Sequence, residues 1–186
     1  MKKRSKILVA ILLFYIIAGT ISCVRQQRTK EMQSIVNDIL SKATDKDAKE
    51  LYKKIVKYGK QAIPYLIEKI DAKGYSYVGK LDPMNSNIMS LYNYNGMQAA
   101  YVTELILSGA NYNGQRAFGD GNTMLFSRNI ILKEPNHEAL KYTDMIKVKS
   151  LYENWWQHHR NKQIKDLIIA WNHGDRPLFH SVYEWY

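Results

Sequence analysis

Histidine is the residue type here best suited to proton transfer or metal ligation, and the chain has five: His137, His158, His159, His173 and His180. A zinc-hydrolase helix needs two histidines four apart with a glutamate after the first, so that both imidazoles leave one face and the carboxylate reaches the bound water. His137-Glu138 opens that pattern and nothing completes it. His158 and His159 are neighbours, so a helix turns them about 100° apart and away from any common ion. At a helix C-terminus they would instead meet the negative end of the dipole. A hydrolase serine elbow of the form Gly-x-Ser-x-Gly is absent from the sequence. Gly119-Asp120-Gly121-Asn122 has the composition of a phosphate or calcium loop but not the spacing. The first needs Lys and Ser or Thr opening a helix, and the second needs several carboxylates where only Asp120 stands. Glu50, Glu104, Glu134 and Glu138 are scattered among lysines and read as surface charges, not as an acid/base pair. The expectation is no catalytic residue, no metal and no cofactor.

The single cysteine carries a different chemistry. Lys2-Lys3-Arg4-Ser5-Lys6 is basic, residues 7–18 form an unbroken apolar run of twelve, and Gly19-Thr20-Ile21-Ser22 leads into Cys23. Basic, apolar and then small is the order of an export signal. The stretch resembles the signal peptide of bacterial lipoproteins. That resemblance implies loss of residues 1–22, a lipid on the Cys23 thiol, Cys23 as the new N-terminus, and a membrane as the first partner. It departs from the family pattern at Thr20, where Leu is usual. Val24 provides no acidic retention signal of the kind that family uses, which points to the outer membrane, periplasmic side, in a cell with two membranes. The competing reading is an uncleaved anchor. Residues 7–24 number 18, the lower limit for crossing a bilayer, and Gly19, Thr20 and Ser22 thin the last turn. Either way the remaining chain lies outside the cytoplasm if the basic flank stays inside.

Length and composition bound the rest. At 186 residues and 46% hydrophobic, the chain suits one domain with a real core, and a lone cysteine excludes an intrachain disulfide. The net charge of +10 falls to +6 once residues 1–22 take four basic and no acidic side chains with them. That surplus is interspersed with acidic residues, the pattern of a solvated surface and not of nucleic-acid binding. Arg25, Arg28 and Lys30 would sit nearest anionic head groups. The expected organisation is a leader at 1–22, a short tether at 23–29 and one helical domain at 30–186.

Within that domain, Met32, Ile35, Val36, Ile39 and Leu40 make one face of a helix over 30–41. A second helix is expected over 45–58, with Thr44 as N-cap, Leu51, Tyr52, Ile55 and Val56 on its apolar face and Gly59 as its stop. Residues 62–67 open a third, with Pro64 tolerated in the first turn. The run 51–70 resembles one helical-repeat unit of the HEAT type, which implies an antiparallel helix pair and nothing functional. Between 71 and 95 the composition turns to Gly, Ser, Asn and Tyr. Tyr75, Tyr77, Tyr92 and Tyr94 alternate with small polar residues, as short strands or an aromatic partner-binding surface would. Residues 96–108 read as the most buried helix, stopped by Gly109. A second loop follows over 110–122, and residues 124–132 suit a strand or a short buried helix. Helices return over 143–157 and, capped by Asn161, through Ile164, Leu167, Ile168 and Trp171. A tail with Phe179, Tyr183, Trp185 and Tyr186 is rich enough in aromatics to dock. The fold class expected is mainly α: a compact antiparallel helical domain with long Tyr/Asn/Gly-rich loops and one or two short strands.

Two functions fit. One is a non-catalytic binding module on a lipid tether, in its sharpest form an immunity protein that binds an antibacterial toxin acting in the envelope. Its contacts would lie in the loops at 75–94 and 111–126, with no nucleic acid involved. The alternative is a cell-envelope hydrolase, or an accessory to peptidoglycan or glycan processing, in which His137, His158 or Glu104 would matter.

Overall fold

A computed structural model describes residues 2–41, 45–77, 92–109, 130–133 and 140–185. The protein is mainly α-helical, and the chain divides into two compact units, residues 1–34 and residues 35–186. Helix α1 (Lys2–Ser41) runs through the first unit and into the second. It begins far ahead of residue 30, the expected start of that helix, so residues 23–29 are helical. Their sequence, with Gln26, Gln27 and Arg28 and without Gly or Pro, favours that outcome.

In the second unit the end of α1 places Ile35, Val36 and Ile39 in the core. Helix α2 (Asp45–Tyr58) follows. Its stop is Gly59 at φ 53°, a left-handed conformation that glycine adopts without Cβ strain. A 3-10 turn at Gly59–Gln61 leads into α3 (Ile63–Glu68), where Pro64 occupies the first turn and loses no helical hydrogen bond. Ile63, Leu66 and Ile70 are wholly buried, each contributing about 1.5–3 kcal/mol of apolar burial.

The centre of the unit is α4 (Asn95–Leu107), whose residues from Gly96 onward are all buried. Helices α2 and α3 both pack on it, and so does α6 (Ile164–Asn172). The HEAT-like pairing of α2 with α3 is therefore not the main contact of either: α3 leans chiefly on α4 and then on α5 (Tyr142–His159). The turn that follows α3 approaches α4 closely enough to require glycine, since a Cβ on Gly96 would lie 1.8 Å from the Ile70 carbonyl oxygen. Helix α5 buries Met145, Val148, Tyr152 and Trp155, a stripe at spacings of three and four. Its first turn is held by Asp144, which accepts the Lys141 N–H at 3.0 Å and the Tyr183 hydroxyl at 3.1 Å.

The described strands number four, more than the one or two expected, in two antiparallel ribbons. Strand β1 (Tyr75–Tyr77) pairs with β2 (Tyr92–Tyr94), Tyr75 opposite Tyr94 and Tyr77 opposite Tyr92. Strand β3 (Ile130–Leu132) pairs with β4 (Tyr183–Trp185). The second pairing docks the C-terminal tail, as its aromatic content predicts, with Leu178 and Tyr183 buried. Helix α6 starts from Gln163 as N-cap and not from Asn161.

Candidate functional site

Glu104 lies in the third turn of α4 and is only 1% exposed. This corrects its reading as a surface charge. A helix buried all round has no solvent face on which to put a carboxylate, so Glu104 faces partners instead. The Tyr152 hydroxyl donates to Oε1 at 2.6 Å, and the Trp171 indole N–H donates to Oε2. Burial pushes the Glu104 carboxyl above its ordinary range. The donors Tyr152 and Trp171, the charge of Arg176 and the indole of Trp185 pull it back without cancelling the rise. Burial, followed by the charge of Glu104, likewise drives the Tyr152 phenol far above 10, so Tyr152 stays a donor. Helices α4, α5 and α6 are thus joined by one carboxyl group.

A cleft of about 560 Å³ opens beside this network, lined from α5 and from the segment that begins at His173, the C-cap of α6. Gly174 turns the chain there at φ 92°. The Trp155 indole N–H donates to Asp175 Oδ1 at 2.8 Å, and the His159 ring stacks on Trp155 at 4.2 Å between centroids. His159 meets two acceptors, the Trp155 carbonyl at 2.8 Å from Nδ1 and Asp175 Oδ2 at 2.7 Å from Nε2. Carbonyl and carboxylate oxygens only accept, so the contact set is complete when both ring nitrogens carry hydrogen. At Asp175 the largest single influence is burial, which raises its pKa. The hydrogen bonds from His159 and Trp155, with the charges of His159 and Lys162, outweigh it and leave the carboxyl below its ordinary range. Arg176 joins cleft and network: its Nε donates to the Trp171 carbonyl at 3.0 Å, and its guanidinium lies 4.0 Å over the Trp171 ring.

Of the residues singled out by sequence, His158, His159, His173 and His180 all line this cleft. His158 is exposed, as a helix-end histidine should be, whereas the half-buried His159 is committed to Asp175. Among the described residues, no three His, Cys, Asp or Glu side chains could hold one metal ion. Cys23 is exposed on α1. Among the described residues, no helix is long and apolar enough to cross a membrane. Tyr75, Tyr77, Tyr92 and Tyr94 are brought together in one ribbon by backbone register. His137, Glu134, Glu138, Asp120, the loop at 111–126 and the Thr44 cap lie outside the described residues. Sequence reasoning missed Tyr152, Asp175 and Arg176. The four-residue spacing of Trp155 and His159 on one helix face was the available signal for the cleft.

Comparison with protein-family models, curated proteins and solved structures finds no match to this chain. The class rests on fold and site alone: a mainly α-helical protein whose described residues include a sealed carboxyl network and a histidine-rich, aromatic cleft.

Proposed function

We propose that this is an exported lipoprotein, held to a membrane by a lipid on Cys23, whose helical domain binds another protein without catalysis. In its sharpest form it is an immunity protein that occupies an antibacterial toxin acting in the envelope. The observation that carries the reading is how the carboxylates are used. Glu104 has the raised pKa of a general acid, yet both its oxygens are taken by Tyr152 and Trp171 in the core. Asp175 reaches the cleft, but His159 and Trp155 occupy it. The cleft then offers imidazole, guanidinium and aromatic surface, the chemistry of binding. The β1–β2 ribbon, which carries Tyr75, Tyr77, Tyr92 and Tyr94, is the second segment of the proposed partner contact. The tether reading is supported by the basic and apolar leader and by the exposure of Cys23.

The test has two arms. Cys23→Ala should shift the protein out of the membrane fraction and leave residues 1–22 attached by mass; an unchanged N-terminal peptide and unchanged membrane association would refute lipidation. Affinity capture from envelope extract, and co-expression with products of adjacent reading frames, should yield one stoichiometric protein complex. No complex in either would sink the binding reading. The alternative, an envelope hydrolase, draws on the His159–Asp175 pair in a cleft, although both ring nitrogens of His159 are already engaged. Loss of peptidoglycan or glycan hydrolysis in His159→Ala would establish that alternative.

A further inference from the structure

Four of the five histidines in the chain converge on the α5–α6 cleft from positions spread over 158–180. His158 and His173 are arranged alike. Each sets Nδ1 against the carbonyl four residues back on its own helix, Asn154 at 2.8 Å and Ile169 at 2.7 Å. Those carbonyls fix the proton on Nδ1 and leave Nε2 for a ligand. The Arg176 fork is pre-positioned on Trp171. Hydrophobic surface borders these groups: Phe179 lines the cleft at 55% exposure, edge-on to His180 at 4.7 Å. The imidazoles do not gather about a point, as a metal would require. They line the cleft from the end of α5 and from the segment 173–180, which suits a ligand with several separated anionic groups.

We infer that this cleft is the docking site for an acidic, aromatic-bearing segment of a partner protein, its carboxylates meeting His158, His173, His180 and Arg176 and its apolar side chain meeting Phe179. The inference rests on the binding-module reading and names the partner chemistry. Charge complementarity carries it. Among the described lining residues the one carboxylate is Asp175, already matched by His159 and Trp155. Basic groups add to Arg176: Lys162 acts on Asp175, and Lys133 from the end of β3 donates to the Phe179 and Ser181 carbonyls. A carboxylate needs an N–H on Nε2 while the backbone carbonyl keeps the one on Nδ1, so binding takes up protons and tightens as pH falls.

The experiment titrates the full-length protein in detergent, at low salt, with a capped hexapeptide of alternating glutamate and phenylalanine, following tryptophan fluorescence. Its lysine counterpart and inorganic phosphate are titrated in parallel. Saturable binding of the acidic peptide, tighter at pH 6 than at pH 8 and weakened by salt, is expected. The double variant His173→Gln/His180→Gln, both residues exposed, should fall in affinity by about threefold to tenfold with an unchanged thermal melt. Absence of peptide binding at pH 6 would overturn the inference. So would equal binding of the lysine peptide, saturation by phosphate over the same concentration range, or unchanged affinity in the double variant. Membrane fractionation of Cys23→Ala and capture from envelope extract are independent of this titration. A complex that forms in extract while the peptide fails refutes the cleft and leaves the broader reading standing.

Discussion

Two carboxylates in this molecule each accept a tryptophan indole N–H together with one other donor. Glu104 takes Trp171 and Tyr152, and Asp175 takes Trp155 and His159. Their acidities nevertheless move in opposite directions, Glu104 upward and Asp175 downward. Both are pushed up by burial. At Glu104 that push is complete and the adjacent donors are neutral, so it wins. At Asp175 the side chain keeps 45% of its exposure and one donor is an imidazole paired by charge, so the hydrogen bonds and charges win. Similar donor sets therefore build a structural joint in one place and a polar cleft wall in the other, and solvent access decides which.

The largest effect expected from breaking this contrast is at the buried end. Glu104→Leu removes the acceptor for Tyr152 and Trp171 together and should cost about 3–5 kcal/mol, lowering Tm by roughly 10 °C in a thermal melt. Gly96→Ala should cost about 3 kcal/mol, because the new methyl group meets the Ile70 carbonyl and α4 must shift against α3. The cleft, which α4 does not line, should keep its binding wherever the variant remains folded.

Smaller changes sharpen the comparison through pH. Glu104 has a folded pKa raised above 4.5. Its contribution to stability is full below that ordinary value and is lost as pH rises through the folded one. Glu104→Gln should remove this slope at a cost of about 1 kcal/mol. The amide oxygen can accept from Trp171 while its NH₂ donates to the Tyr152 oxygen. Denaturant melts between pH 4 and pH 8 would read the slope, and a slope retained in Glu104→Gln would assign it elsewhere. Asp175 has the opposite sign. Its folded pKa lies below 3.8, so its contribution is present above that value and lost as pH falls through the folded one. Asp175→Asn should therefore destabilise by about 0.5 kcal/mol at pH 7, solvent screening keeping the figure small, and by progressively less as pH falls below 3.8. The least effect is spectroscopic: His159→Gln should move the Asp175 carboxyl titration, followed by carbon NMR, back up towards the ordinary aspartate range with little change in Tm.

Much of the helical framework was legible in the amino-acid order. The limits of α2 coincide with the apolar spacing of Leu51, Ile55 and Val56 and with the stop at Gly59. The first-turn position of Pro64 and the unbroken apolar character of residues 96–108 announced α3 and α4. These are local signals, set by neighbours three or four residues away. The start of α1 was not legible, because a polar stretch read as a tether carries no breaker and continues the helix. The N-cap of α6 was misplaced by two residues, since Asn161 and Gln163 both precede the apolar face.

The candidate site was barely legible. By itself the sequence determined a basic and then apolar N-terminal stretch ending at one cysteine, a helical body, and a stock of histidines without ligand spacing. Tertiary structure alone decided that Glu104 is a core residue and that four histidines share a cleft. The reason is range. The partners that set the acidity of Glu104 lie 48 and 67 positions away, and the turn at Gly174 that folds Asp175 back onto α5 joins residues 16 apart. A helix pattern specifies which side of itself is apolar; what stands opposite that side is fixed only when the other helices arrive and water leaves.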